Sequence, residues 1–459
     1  MRMMGSLKAI LKKLFGRIKN ERLRLNILQA IPFWLASLVT GLFAVAYTRL
    51  FTLAEEGTAF VYHRASWILF MFTPLCFLIA WWLVKKFSPY ARGSGIPQVM
   101  AAIELANPRQ ISKVDKLLGI RIIFVKMTSS LIMVLGGGIV GREGPTVQIA
   151  GSIFRKINAA LPEWWPKISK KNMIMTGAAA GLAAAFNTPL GGIVFAVEEL
   201  TKTHINYFKT AIFTAVIISG LTAQALLGPY LYLGYPDVNN LSPYIFTAVA
   251  LVAVISGLAG SIMSKMMLYI LKWKSKFRFN YQHIIYLLAC ALIIVSAGIF
   301  INQNALGSGK SLMTSVLFSS HKYSPWYLPI LRAGGLIITF TTGAAGGVFA
   351  PSLSAGASVG SMMAGLMHLS ATNSNIIILA GMVGFLTGVT RSPFTCAILV
   401  LEMTDRHNVI FHLMLAAMFA SLVSRIIDKH SFYDHLKFQL LHELKDKEKE
   451  EGPAAIANE

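Results

Sequence analysis

Two glutamates in this chain lie where a carboxylate is costly. Glu143 sits between glycine and proline in Gly141-Arg142-Glu143-Gly144-Pro145, inside an apolar segment. An ionisable side chain in such surroundings is a functional candidate by default, because a charge in hydrocarbon needs a reason to be there. Its bland alternative is an ion pair with the adjacent Arg142. The second is one of the pair Glu198-Glu199, which closes the apolar run Ile193-Val194-Phe195-Ala196-Val197. Here the plain alternative is a solvated helix-end charge beside Lys202.

An internal repeat separates these acids. The segment Gly141-Arg142-Glu143-Gly144-Pro145-Thr146 resembles Gly347-Val348-Phe349-Ala350-Pro351-Ser352, at a lag of 351 − 145 = 206. Downstream, Phe186-Asn187-Thr188-Pro189 through Glu198 resembles Thr390-Arg391-Ser392-Pro393 through Glu402, at a lag of 393 − 189 = 204. Counting from each proline, Glu198 pairs with Glu402 and Glu199 with Met403, while Glu143 pairs with Phe349. A glutamate that both halves share reads as a structural anchor at a helix end. Those without a counterpart, Glu143 and Glu199, are free to serve chemistry.

The elements that must position them are membrane helices. Hydrophobic residues make up 55% of 459, charged residues 14%, and the mean hydropathy is +0.60, outside the balance of soluble globular chains. Apolar runs long enough to span a bilayer cover Leu25 to Thr48, Trp67 to Val84, Ala211 to Leu227, Phe246 to Met263, Ile284 to Ile301 and Phe411 to Val423. Shorter runs, broken by glycine or proline, lie around 93 to 104, 136 to 158, 177 to 200, 343 to 366 and 380 to 404. Paired broken helices in two halves are where a transporter places an ion site, since a helix that starts inside the membrane presents unpaired N–H groups and a positive dipole end. Such an end binds anions.

The formal charge of +22 suggests nucleic acid, but the Lys and Arg residues gather in the ends and connections of an apolar chain and read as topology signals. Residues 1 to 24, the segments with Arg155, Lys156, Lys167, Lys170 and Lys171, and the loop with Lys265, Lys272, Lys274, Lys276 and Arg278 are expected in the cytoplasm, and Leu227 to Pro243, without Lys or Arg, outside. Cys76, Cys290 and Cys396 have no CxxC spacing and read as core. No metal or cofactor is expected. Gly136 to Gly141 satisfies GxGxxG without the βαβ context that gives the pattern meaning, and Gly309-Lys310-Ser311 reads as a loop turn, since Asn304 stands where a phosphate loop needs glycine. No HExxH or nucleophile–base set argues for an enzyme.

Gly93-Ser94-Gly95-Ile96-Pro97, Gly141-Arg142-Glu143-Gly144-Pro145 and Gly347-Val348-Phe349-Ala350-Pro351, in this order, resemble the motifs of the CLC family of chloride channels and proton-coupled chloride transporters. The resemblance runs from the first span to Tyr433. It implies an all-α polytopic fold with two inverted repeats and helices broken at the bilayer midplane: a basic segment 1–24, a transmembrane domain 25–442 with repeats of about 25–227 and 244–430, and an unstructured cytoplasmic tail 443–459. It implies a chloride site made by the Ser94 hydroxyl, the N–H groups of Val348 and Phe349, and the Tyr433 hydroxyl. Glu143 becomes the external gate and proton glutamate, and Glu199 the internal proton-transfer glutamate. Lys126, within an apolar segment, matches a lysine that raises the local potential for anions, with snorkelling to the surface as its equal alternative. Ser94 by itself reads as a helix N-cap in a Gly/Pro turn, and only the resemblance reverses that. The expected function is exchange of chloride for protons, with a passive chloride channel as the alternative. The expected setting is the plasma membrane, with both termini cytoplasmic, lipid around the chain, and a homodimer.

Overall fold

The computed structural model describes residues 20–107, 110–201, 209–228, 231–320 and 322–451. Among these, helices account for almost all of the ordered backbone. The first half contains α1 (Glu21–Ala65), α2 (Leu69–Phe87), α3 (Ile96–Glu104), α4 (Ile111–Leu117), α5 (Ile120–Leu135), α6 (Glu143–Ala159), α7 (Lys170–Phe186), α8 (Pro189–Phe195) and α9 (Lys209–Leu227). The second contains α10 (Ile245–Lys274), α11 (Asn280–Ser296), α12 (Lys310–Phe318), α13 (Leu328–Thr341), α14 (Phe349–Leu366), α15 (Ala371–Thr390), α16 (Pro393–Thr404), α17 (Ile410–Ile427) and α18 (Phe432–Glu451). Among the described residues, seven helical stretches are long and apolar enough to cross a membrane, so the chain is a multi-pass membrane protein. The shorter helices between them are the broken segments of the sequence.

The repeat is visible in the element boundaries. α6 starts at Glu143 and α14 at Phe349, a lag of 349 − 143 = 206. α7 and α15 each end in a left-handed residue, Asn187 (φ 57°) and Arg391 (φ 63°), and prolines then open α8 and α16. Neither of these two helices has a side-chain cap from its own N-cap residue. The shared glutamates supply the caps instead. Glu402 accepts hydrogen bonds from the N–H groups of Leu190 (2.9 Å) and Gly191 (2.6 Å) at the start of α8. Glu198 accepts from the N–H groups of Phe394 (3.2 Å) and Thr395 (2.7 Å), and from the Thr395 hydroxyl, at the start of α16. Each half caps the other, as two copies related by a two-fold axis would.

Small residues let the central helices touch. A Cβ on Gly260 would meet the Phe385 carbonyl at 2.3 Å, and one on Gly388 would meet the Gly257 carbonyl at 2.4 Å, so α10 and α15 cross backbone to backbone. Gly356 and Gly381 bring α14 against α15 in the same way. Cys76, Cys290 and Cys396 are buried and unpaired with each other.

Several local expectations change. The unstructured tail is helical as far as Glu451, because 443–451 continue α18; 452–459 lie outside the described residues. Arg155 and Lys156 belong to α6, and Lys265, Lys272 and Lys274 to α10, so these charges ride on helices and not on loops. Gly309 is left-handed (φ 89°) and Lys310 opens α12, so the expected loop turn is the start of a helix. Of the basic N-terminal segment only Asn20 to Arg24 is described.

Removing one reciprocal cap tests this arrangement. Glu402→Ala strips a charged acceptor from two N–H groups and should cost about 1.5–3 kcal/mol, read as a lower thermal midpoint in detergent, with Glu402→Gln intermediate. An unchanged midpoint in the alanine variant would show that α8 does not depend on the cap.

Candidate functional site

Three helices start around one point, and backbone hydrogen bonds hold them there. Gly141 and Gly347 exchange both of theirs (2.8 and 2.7 Å), a one-pair antiparallel bridge just ahead of α6 and α14. Gly93 donates to the Ala344 carbonyl (2.9 Å) and accepts from the Gly346 N–H (3.0 Å), which ties the turn before α3 to the same place. The motif glycines make this possible. A Cβ on Gly347 would lie 3.0 Å from the Gly141 carbonyl oxygen, and one on Gly144 would lie 2.3 Å from Ser94 Oγ. Gly95, at φ 105°, takes a backbone conformation that only glycine adopts cheaply. None of the three helices carries a side-chain cap at its N-cap residue, so their first N–H groups face the shared centre.

Ser94, Tyr433, Val348, Phe349 and Glu143 all lie buried at this centre. The N-cap residue of α3 is Gly95, and the Ser94 hydroxyl makes no capping bond; Oγ has no hydrogen-bond partner among the described residues. The N-cap reading of Ser94 is therefore overturned. Tyr433 sits in the first turn of α18 with its hydroxyl beside Ser94, also unpartnered, and its ring stacks on Phe349 at 6.2 Å and 13°. Two buried hydroxyls side by side near these helix starts are neutral donors of the kind that hold an anion without trapping it. The Glu143 carboxylate lies at the start of both α6 and α14, in reach of the N–H groups of Glu143 itself and Ala350, and its Oε2 is buried without a hydrogen-bond partner. It occupies a position built for an anion.

Cavities approach this centre from both membrane faces. A smaller one, about 150 Å³, is lined by Glu143, Arg142, Glu55, Ser308, Lys310 and Tyr232. A larger one, about 600 Å³, reaches Ser94 past Arg92, Lys272, Lys274, Phe340 and Glu443. The crossing stretch Asn280–Ile301 has His283 in the larger cavity, and its other end leads into the turn that lines the smaller one. The two cavities therefore open on opposite sides.

Glu199 stands apart from this cluster. It is buried in the π-helical turn Ala196–Thr201, a form that recurs at functional sites, and the Ser392 hydroxyl donates to its Oε2. It lies within electrostatic reach of Tyr433. A solvated helix-end charge is thereby overturned; Lys202 lies outside the described residues.

Lys126 does not snorkel. It is fully buried and donates to the carbonyls of Ala91 (2.9 Å) and Gly93 (2.7 Å), pinning the turn that carries Ser94. Lys274, read from sequence as a topology charge, makes a matching clamp: it donates to the carbonyls of Thr341 (2.8 Å) and Thr342 (2.5 Å), before the bridge to α14. Gln98 supports the first turn through the Tyr90 (3.2 Å) and Arg92 (2.7 Å) carbonyls. Ser129 accepts from the Ala345 N–H at 3.1 Å. Lysine at the end of a span looks the same in sequence whether it faces water or carbonyls, so Lys274 carried no signal of this role.

The sequence profile described as voltage gated chloride channel matches residues 75–425. Among curated proteins, the H(+)/Cl(-) exchange transporter ClcA of Cronobacter sakazakii is 29% identical over 445 residues, covering 93% of this chain and 91% of the relative. ClcA of Salmonella typhimurium is 28% identical over 447 residues, covering 92% and 90%. Among solved structures, a slow cyanobacterial Cl-/H+ antiporter superposes with a TM-score of 0.78 at 21% identity, over 90% of this chain and 98% of that one. A CLC-type fluoride/proton antiporter gives 0.74 at 20% identity, over 90% and 98%. These likenesses in structure establish the fold.

Because the hydroxyls of Ser94 and Tyr433 bond to no other group among the described residues, deleting both should spare the fold and damage only anion binding. The double variant Ser94→Ala, Tyr433→Phe should bind chloride about tenfold more weakly by calorimetry, the size of one lost hydrogen bond or so, with a thermal midpoint near wild type. Unchanged chloride binding would remove both from the site.

Proposed function

This chain belongs to the family of voltage gated chloride channels, and on that premise we propose that it is a secondary active antiporter exchanging chloride for protons across the inner (plasma) membrane. The observation that carries the reading is the Glu143 carboxylate lying at the paired starts of α6 and α14, with an unpartnered oxygen. Curated relatives across nearly the whole length are named exchangers, which favours coupled exchange over a passive channel. These relatives are named as transporters.

Chloride enters from the larger, cytoplasmic cavity and is held by the Ser94 and Tyr433 hydroxyls and by the N–H groups of Val348 and Phe349. The neighbouring position at the helix starts takes either the ionised Glu143 carboxylate or chloride, since both seek the same N–H groups and the same positive dipole ends. Protonation removes the charge on Glu143 and ends that competition, so the side chain leaves and the anion passes. One group thereby links the two ions by mutual exclusion. Glu199, buried within electrostatic reach of Tyr433, exchanges protons with the cell interior. Lys126 holds the Ser94 turn and adds positive potential to the anion path.

The repeat and the reciprocal caps support two inverted halves. The basic residues at the end of the crossing helix α10, Lys272 and Lys274, with Lys276 and Arg278 just after it, support a cytoplasmic face there and, with it, cytoplasmic termini. As in the family, we take the working unit to be a homodimer embedded in lipid, with one pathway per subunit and no nucleic-acid partner or cofactor.

Glu143→Gln should give chloride flux that no longer responds to pH and moves no protons, from a protein that remains folded. Proton pumping against a gradient by this variant, driven by chloride in liposomes, would sink the mechanism. Glu199→Gln should suppress proton flux while chloride flux continues. Glu198→Gln should instead lower the thermal midpoint; if it were the variant that uncoupled protons, the two glutamates would exchange roles.

A further inference from the structure

The mouth of the smaller cavity holds two acids, and the exchange cycle above uses only Glu143. Glu55 extends from α1 into the same space of about 150 Å³. Its Oε1 accepts from both the N–H (3.2 Å) and the hydroxyl (2.5 Å) of Ser308, in the turn before α12, which holds the side chain half-buried at the cavity wall. The charged groups facing it are Arg142 and Glu143 at the start of α6 and Lys310 on α12. Arg332 on α13 acts on it from behind, and an adjoining cavity of about 650 Å³ brings Glu56 and His63 of α1 to its outer side.

Arg142 and Lys310 serve one of the two exchanged ions and oppose the other. Their field concentrates chloride at the mouth, and by the same Coulomb term it repels a proton on its way to Glu143. A carboxylate on the wall of that positive mouth gives the proton a landing place beyond the repulsion. If Glu55 served only to hold Ser308, an amide oxygen would suffice there, without the cost of a charge on an apolar helix.

We propose that Glu55 is a proton-transfer residue that takes protons from the external solution and passes them to Glu143. The proposal rests on the exchanger reading. A hydronium ion gives its proton to a Glu55 oxygen and leaves as water. The Glu55 O–H bond then breaks as a Glu143 O–H bond forms, through cavity water, and Glu55 returns to carboxylate. One proton moves and no electrons change hands.

The test uses the full-length protein in liposomes, with chloride and proton fluxes followed as external pH is stepped from acidic to neutral. Glu55→Gln keeps an acceptor for Ser308. It should slow coupled exchange roughly tenfold at neutral external pH, within the range of a positioned proton-transfer group, and match wild type in acid, where hydronium reaches Glu143 unaided. The ion ratio should not change, and Glu55→Asp should recover most of the rate. In a Glu143→Gln background, Glu55→Gln should leave chloride flux as it was, since no proton acceptor remains to be served. A wild-type pH profile in Glu55→Gln, or an equal loss at every pH, would overturn the relay. A changed chloride flux in the Glu143→Gln background would assign Glu55 to anion electrostatics and also overturn it. Wild-type protein that moved chloride without protons would overturn the exchange reading itself, and is distinguished by that from failure of the relay alone.

Discussion

Gly141 and Gly347 exchange a pair of backbone hydrogen bonds, and the site depends on that contact. It fixes the starts of α6 and α14 side by side in the interior of the molecule, where water cannot satisfy their first N–H groups. Two helix starts so placed create a positive focus with no formal charge in it. Everything that gathers there follows: the Glu143 carboxylate, the hydroxyls of Ser94 and Tyr433, and a third helix start brought in by Gly93. The contact also explains why glycine is required, since a Cβ at Gly347 would crowd the Gly141 carbonyl and Gly144 alike.

Holding irregular backbone at membrane depth requires partners for its carbonyls. Two buried lysines provide them, Lys126 for the turn before α3 and Lys274 for the turn before α14. An ammonium group with three donors suits a cluster of carbonyl oxygens that all point inward. These lysines therefore fix the turns that lead into the helix starts, Ser94 being carried on one of them. The glutamates shared by the repeat play the complementary part, offering acceptors to helix starts that are not to bind an anion. Glu198 and Glu402 close the starts of α16 and α8, so that among these paired broken helices the starts of α6 and α14 remain open to one.

Charge placement along the path has a direction. On the larger cavity Lys272 and Lys274 accompany Ser94, and Arg92 is paired with Glu443 of α18, the helix whose first turn carries Tyr433. On the smaller cavity Arg142 and Lys310 are balanced by two carboxylates, Glu55 and Glu143. Positive groups thus line both cavities, while the two carboxylates are confined to the smaller one near Glu143.

The class of the molecule was legible in the linear chain, because long apolar runs and broken ones differ in composition alone. The chain also revealed the repeat, and through the repeat it separated Glu198 from Glu199 and marked Glu143 as dispensable for folding. Those are comparisons between positions along a chain, and they need no coordinates. Tertiary structure alone decided where long side chains point: Lys126 and Lys274 toward carbonyls, Glu55 and Lys310 toward the mouth before Glu143, and Ser94 away from a cap. The physical reason is that each of these side chains takes its meaning from partners far away in sequence, as with Lys274 and Thr341 or Glu55 and Ser308. A local pattern specifies that a helix starts or stops, but a flexible side chain is directed by whichever distant backbone the packing brings within reach.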